Sequence, residues 1–186
     1  MVYIMKIHVD GGCRANGQPG SIGAAAAAFK SASGRFYGET TEDLLSYTAP
    51  TNQRAEITSI ILGLRMALKK SEQLVSDPRL DVTIYSDSTY AVSCMEKWIY
   101  KWIRNGWLNR KGVEVANRDL LEKAVVLDSR LKQKGDVQYV WIPREENQYV
   151  DKLCNDLMNT ICLVERLCNS LKNARCDVQS SSSDDS

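Results

Sequence analysis

Histidine is nearly missing from this sequence: His8 is the only one among 186 residues. A serine–histidine or cysteine–histidine nucleophile would have to be built on it, yet it stands near the end of an apparent strand and belongs to no nucleophile motif. The six cysteines, at 13, 94, 154, 162, 168 and 176, contain no Cys-x-x-Cys pair, so a Cys/His zinc site finds no support. No apolar run approaches the roughly 20 residues of a membrane span. The opening MVYIMKIHVD lacks the basic start and long apolar stretch of a signal peptide. Reduced thiols in an intracellular protein of the cytoplasm or nucleus are therefore expected. Charge of one sign is also lacking, with 24 Lys+Arg against 23 Asp+Glu, so any nucleic acid must be held by a local patch. What remains is an ordinary globular balance of 44% hydrophobic and 25% charged residues, which excludes wholesale disorder. Carboxylates are the catalytic groups this composition favours.

Tyr3, Met5, Ile7 and Val9 alternate with Ile4, Lys6, His8 and Asp10, which predicts a half-buried strand that Gly11-Gly12 should end. Ile22 to Phe29 (IGAAAAAF) has the alanine content of a helix. Gly-rich turns flank it, however, and Gly34 to Thr41 (GRFYGETT) reads as a hairpin partner, so a strand is expected. Helical periodicity covers Asn52 to Lys70, with Ile60, Ile61, Leu64, Ala67 and Leu68 as the apolar stripe. Val82 to Tyr85 is a short strand closed by Ser86-Asp87-Ser88. Helices are expected over about 89–104 and 117–134, then a strand over Val137 to Ile142 stopped by Pro143, then a helix from Gln148 to about Leu171. This order predicts one mixed α/β domain over 1–172, its sheet covered by helices. Residues 173–186, ending DVQSSSSDDS, are expected to be a disordered acidic tail.

Four carboxylates stand out against these elements. Asp10 ends the first strand, Asp87 ends the fourth just before a helix, and Asp151 opens the last helix. Strand ends beside helix starts are where open α/β sheets place their sites. Glu56 lies one turn before Ile60, on the stripe its helix should bury. A carboxylate turned toward a core needs a cation or a strong hydrogen-bond network. Singly, each has a plainer reading: Asp87 and Asp151 as helix N-terminal acids, Asp10 as a turn residue, Glu56 as a partner of Arg54 or Arg65.

The surroundings of these acids resemble type 1 ribonuclease H. The likeness runs from Asp10-Gly11-Gly12-Cys13-Arg14-Ala15-Asn16-Gly17 through Thr51-Asn52-Gln53-Arg54-Ala55-Glu56 and Ser86-Asp87-Ser88 to Asn147-Gln148-Tyr149-Val150-Asp151-Lys152-Leu153. Each motif alone is weak, but in this order, over roughly residues 3 to 160, they are specific. The resemblance implies a five-stranded mixed sheet, three antiparallel strands then parallel ones, flanked by helices. It implies endonucleolytic hydrolysis of the RNA strand of RNA–DNA hybrids, leaving 3′-hydroxyl and 5′-phosphate ends. Asp10, Glu56, Asp87 and Asp151 are then the ligands of two Mg²⁺ ions, which Mn²⁺ could replace. Two metals about 4 Å apart can serve both the attacking water and the leaving oxygen, and hard oxygen donors suit Mg²⁺.

The same resemblance lays Asn16, Asn52 and Gln53 against the RNA strand, where neutral amides can donate to and accept from a 2′-hydroxyl. Taken alone they read as turn and N-cap residues. Lys97 to Lys111 (KWIYKWIRNGWLNRK) carries five basic residues, no acidic one and three of the four tryptophans. Periodicity alone makes it an amphipathic helix with tryptophan in the core. The resemblance makes it the family's basic protrusion, with Tyr90, Trp98 and Trp102 along the DNA strand. Thr51 and Asn117 fall where a DNA phosphate is gripped, and Ala49 where some members add an arginine. The family's loop with a catalytic histidine has no counterpart, because only Ile142-Pro143-Arg144-Glu145-Glu146 joins Trp141 to Asn147. A subset of the family shares that compact form, and the histidine's role does not pass to Arg144. The alternatives are a catalytically weak hybrid-binding module with this fold, and a resolvase or transposase core, which the Asn-Gln pair and the basic tryptophan segment disfavour. A monomer with no obligate protein partner and no membrane is expected.

Overall fold

The computed structural model describes residues 1–45 and 50–180, with side chains through Leu171. Ala49, the position marked for a missing arginine, lies outside them. The strands are β1 (Val2–Arg14), β2 (Ile22–Lys30), β3 (Phe36–Asp43), β4 (Arg79–Ser86) and β5 (Gly135–Trp141). They form one sheet in the order β3-β2-β1-β4-β5. The first three pair antiparallel, and β4 is parallel to both β1 and β5, as expected.

Alanine in β2 explains how the sheet is covered. All of Ile22 to Phe29 is buried. Ala25 and Ala27 face a core with Ile57, Ile60 and Leu64 of α1 (Asn52–Glu72). Ala24, Ala26 and Ala28 face Val150, Cys154 and Met158 of α5 (Gln148–Ser180). A strand buried on both faces loses the alternation of a half-exposed one, and side chains of one carbon let both helices come close. α4 (Arg118–Lys132) adds Leu120, Leu121 and Leu131 to the α1 side.

Three expectations need correction. Gly11-Gly12 does not end β1, which continues to Arg14 with Gly11 opposite Ala25 and Gly12 opposite Ala24. Asp10 therefore sits within the strand. Gly11 serves a close approach instead: a Cβ on it would lie 2.2 Å from the backbone carbonyl of Ala55. Second, the helix expected over 89–104 is interrupted. It consists of α2 (Thr89–Ser93), a π-helical turn (Cys94–Trp98) and α3 (Ile99–Arg104). Third, α5 continues past the end expected for it near Leu171 and reaches Ser180. Asn173, Ala174 and Arg175 offer no glycine or proline to stop it. Residues 181–186 of the expected tail lie outside the described residues. No helix among the described residues is long and apolar enough to cross a membrane.

Candidate active site

Four elements bring the carboxylates together. Asp10 stands on β1 and Asp87 follows β4 one strand over, while Asp151 lies in the first turn of α5. Glu56 lies in the second turn of α1, which Gly11 lets approach the sheet. All four line one cavity of about 400 Å³, together with Asn52 and Arg144. The helix-start reading of Asp151 is also correct and does not compete with the site, whereas Asp87 precedes Ser88, the cap of α2, and no acid lies in the first turn of that helix. Glu56 is not claimed by the arginines considered from sequence in any ion pair described: Arg54 pairs with Asp119 at 2.6 Å and Arg65 with Glu42 at 3.2 Å.

Asp10 carries the electrostatic strain of this cluster. Burial, and then the negative charges of Asp87 and Asp151, raise its carboxyl from 3.8 to about 7. Glu56 is raised too, mainly by burial, with a hydrogen bond from Ser88 acting against it. Asp87 accepts from Asn147 Nδ2 at 2.8 Å. Asp151 accepts from Arg144 Nη2 at 2.6 Å on one oxygen and from Asn155 Nδ2 at 3.1 Å on the other. Among the described residues, no three His, Cys, Asp or Glu side chains are gathered closely enough to hold a metal ion as they stand. The donor set nevertheless fits a hard divalent cation. It is all carboxylate oxygen, and the burial and like charges that disfavour ionised Asp10 outweigh the opposing charge of Arg144.

The amides expected on the RNA strand lie beside this cavity. Asn16, in a turn, accepts through Oδ1 from the Asn52 backbone at 2.9 Å, whereas Asn52, the first residue of α1 after its cap, accepts through Oδ1 from the Cys13 backbone at 2.8 Å and so ties the helix start to β1. Gln53 is exposed next to them. Thr51 caps α1, accepting from the Arg54 backbone at 3.3 Å. Asn117 accepts from the Arg54 guanidinium at 3.3 Å and donates to the Tyr90 hydroxyl at 3.3 Å. Arg54 thus joins Thr51, Asn117 and Tyr90 into one group. It was invisible as such from sequence, because its bonds to Asn117 and Asp119 span more than 60 residues.

Tyr90, Trp98, Trp102 and Trp107 form a run of rings with centroids 6.1, 5.8 and 6.4 Å apart. Trp107 occupies the core seat at 9% exposure, whereas Trp98 is 41% exposed. Trp98, Trp102, Lys101 and Arg110 line a second open cavity of about 550 Å³. Asn147, quoted within a motif but given no role, is wholly buried and bonded to Asp87, and nothing in its local spacing signals that.

Comparison with known proteins agrees with this arrangement. A family model described as RNase H matches residues 3–159. Ribonuclease HI of Haemophilus ducreyi is 30% identical over 153 residues, covering 82% of this chain and 86% of the relative. Ribonuclease H of Hydrogenovibrio crunogenus is 32% identical over 161 residues, 84% of this chain and 97% of the relative. Among solved structures, LC9-RNase H1 superposes with a TM-score of 0.65 at 22% identity, over 84% of this chain and 72% of that one. LC11-RNase H1, solved in complex with an RNA/DNA hybrid, gives 0.60 at 22% identity, over 85% and 99%. At these identities the two structures bear on the fold.

Proposed function

The chain belongs to the ribonuclease H family, as a type 1 member, and on that premise we propose that it cuts the RNA strand of RNA–DNA hybrids by a two-metal-ion reaction leaving 3′-hydroxyl and 5′-phosphate ends. The carrying observation is the cavity shared by Asp10, Glu56, Asp87 and Asp151, with Asp10 pushed up to about 7 by burial and by the charges of Asp87 and Asp151. These four hold the cations, Mg²⁺ or Mn²⁺. When bound, the cations activate water and stabilise the departing 3′-oxygen. The protein's own part is to fix the donors: Asn147 holds Asp87, and Asn155 with Arg144 holds Asp151. Arg144 must yield its contact with Asp151 if both oxygens are to serve a cation.

Asn16 and Asn52 have their side-chain oxygens engaged, which reserves their amide N–H groups, with Gln53, as donors to the RNA 2′-hydroxyls. Thr51 and Asn117, gathered on Arg54, grip a DNA phosphate, and Tyr90, Trp98 and Trp102 pack along the DNA strand. Residues 1–172 act as one hybrid-cleaving domain, as a monomer inside the cell.

Cleavage of a labelled RNA–DNA hybrid tests this reading, beside EDTA, duplex-DNA and duplex-RNA controls. Metal-dependent cutting of the hybrid's RNA alone is expected. Tight hybrid binding without cutting would make this a binding module, and comparable cutting of duplex DNA would make it a nuclease of the resolvase type.

The double variant Trp98→Ala/Trp102→Ala separates the two readings of the tryptophan segment. Stacking contacts are worth about 1–3 kcal/mol each, so losing both rings should lower hybrid affinity by about 30-fold or more. Single-turnover cleavage at saturating enzyme should stay within about threefold, because neither ring touches the carboxylates. Unfolding, or equal loss in both measurements, would return the rings to the core.

A further inference from the structure

A buried chain of hydrogen bonds leads from the one histidine to the candidate metal site. His8, on β1 and 4% exposed, lies with its ring stacked on Tyr85 and edge-on to Phe36, centroids 5.0 and 5.1 Å away. Its Nδ1 is 3.3 Å from Asn147 Oδ1. Asn147, just before α5, donates through Nδ2 to the Val9 carbonyl at 3.0 Å and to Asp87 Oδ1 at 2.8 Å.

The two ends of a carboxamide have nearly the same shape, so chemistry decides which way it points. The Val9 carbonyl and the Asp87 carboxylate can only accept, and both call for the NH₂ end. The oxygen is then turned to His8, which completes the set only if Nδ1 carries a hydrogen. Reversed, the amide would set its oxygen against a carboxylate. We propose that His8 is a positioning residue of the active site: donating from Nδ1, it fixes the Asn147 amide, which holds one oxygen of Asp87 and presents the other to a cation. This rests on Asp87 being a metal ligand, as read above. Partners that orient a ligand are commonly worth 10- to 100-fold in metal affinity. The histidine that composition leaves without a nucleophile's role thus acts two hydrogen bonds from the chemistry.

A sole histidine is convenient to observe. In protein labelled with ¹⁵N-histidine, the imidazole at neutral pH should show the Nδ1–H tautomer, and an Nε2–H tautomer would overturn the proposal. Two substitutions then divide donor from shape. His8→Phe keeps a flat ring against Tyr85 and Phe36 but has no donor, whereas His8→Asn places an amide N–H at the distance of Nδ1 without the ring. Mn²⁺ binding without substrate, read by calorimetry, should weaken about tenfold in His8→Phe and recover to within about threefold of wild type in His8→Asn. The half-saturating Mg²⁺ for hybrid cleavage should follow the same order, with KM for the hybrid little changed. A folded His8→Phe that binds Mn²⁺ like wild type overturns the inference. So does loss in both variants that tracks their melting temperatures. Wild-type protein that neither binds Mn²⁺ nor cuts hybrid would instead overturn the function on which the inference rests.

Discussion

Asp10→Asn is expected to abolish hybrid cleavage, by about a thousandfold or more, while making the metal-free protein harder to unfold above neutral pH. The first effect follows from losing a ligand to cations that contribute several kcal/mol of transition-state stabilisation. The second follows from the displacement of Asp10 from 3.8 to about 7. Its folded value lies above its unfolded one, so the native state binds the proton more tightly. Stability from this group is complete below pH 3.8 and is lost as pH rises through 7. At 1.36 kcal/mol per unit the full cost is somewhat over 4 kcal/mol, on the order of 4–4.5, and solvent in the open cavity trims it to about 2–4 kcal/mol. Asparagine keeps the shape and never ionises, so the variant escapes this cost. Urea unfolding in EDTA at pH 5 and pH 8 should show the variant gaining on wild type between the two. Excess Mg²⁺ should then raise the wild-type midpoint and leave the variant's unmoved. A variant less stable than wild type at pH 8 would mean that Asp10 already has its compensating charge.

What the sequence disclosed, and what it withheld, divides by the range of the interactions. Period-2 and period-3.6 patterns and turn residues located every strand and long helix, because they record which side of a local element is buried. IGAAAAAF could be read only through its flanks, since a strand covered on both faces by α1 and α5 has no alternation to show. The glycine pair was misread as a stop because Gly11 serves a tertiary approach to Ala55, 44 positions on. The π turn at Cys94–Trp98 carries no proline or glycine to announce it. At the site, the four carboxylates were legible because motifs surround each one. Their orientation was not. It depends on Asn147 reaching Asp87 across 60 positions and His8 across 139, and on Arg54 pairing with Asp119 across 65.

Gly11→Ala should do more harm than its size suggests, and Gly12→Ala far less. A Cβ on Gly11 would stand 2.2 Å from the carbonyl carbon and oxygen of Ala55 and 2.4 Å from the amide nitrogen of Glu56. These are backbone atoms in the opening turns of α1, so no rotamer relieves the overlap and the helix end must move about 1 Å from β1. Overpacking of this kind costs about 3 kcal/mol or more when the neighbour is backbone. For a chain of this length that is a fall in Tm of about 6–12 °C. The displaced turn carries Glu56, and a misplacement of about 1 Å at a reacting centre costs on the order of a hundredfold in rate. On Gly12 the nearest atom to an added Cβ is the terminal methyl of Met158, at 3.3 Å, on a side chain that can swing aside. Its Tm should fall by no more than about 2 °C. Thermal melts of the two neighbouring variants, with single-turnover cleavage for Gly11→Ala, therefore test whether the glycine seats the helix that brings Glu56 to the other three acids. A Gly11→Ala protein as stable as Gly12→Ala would show that α1 is not held against β1 at that point.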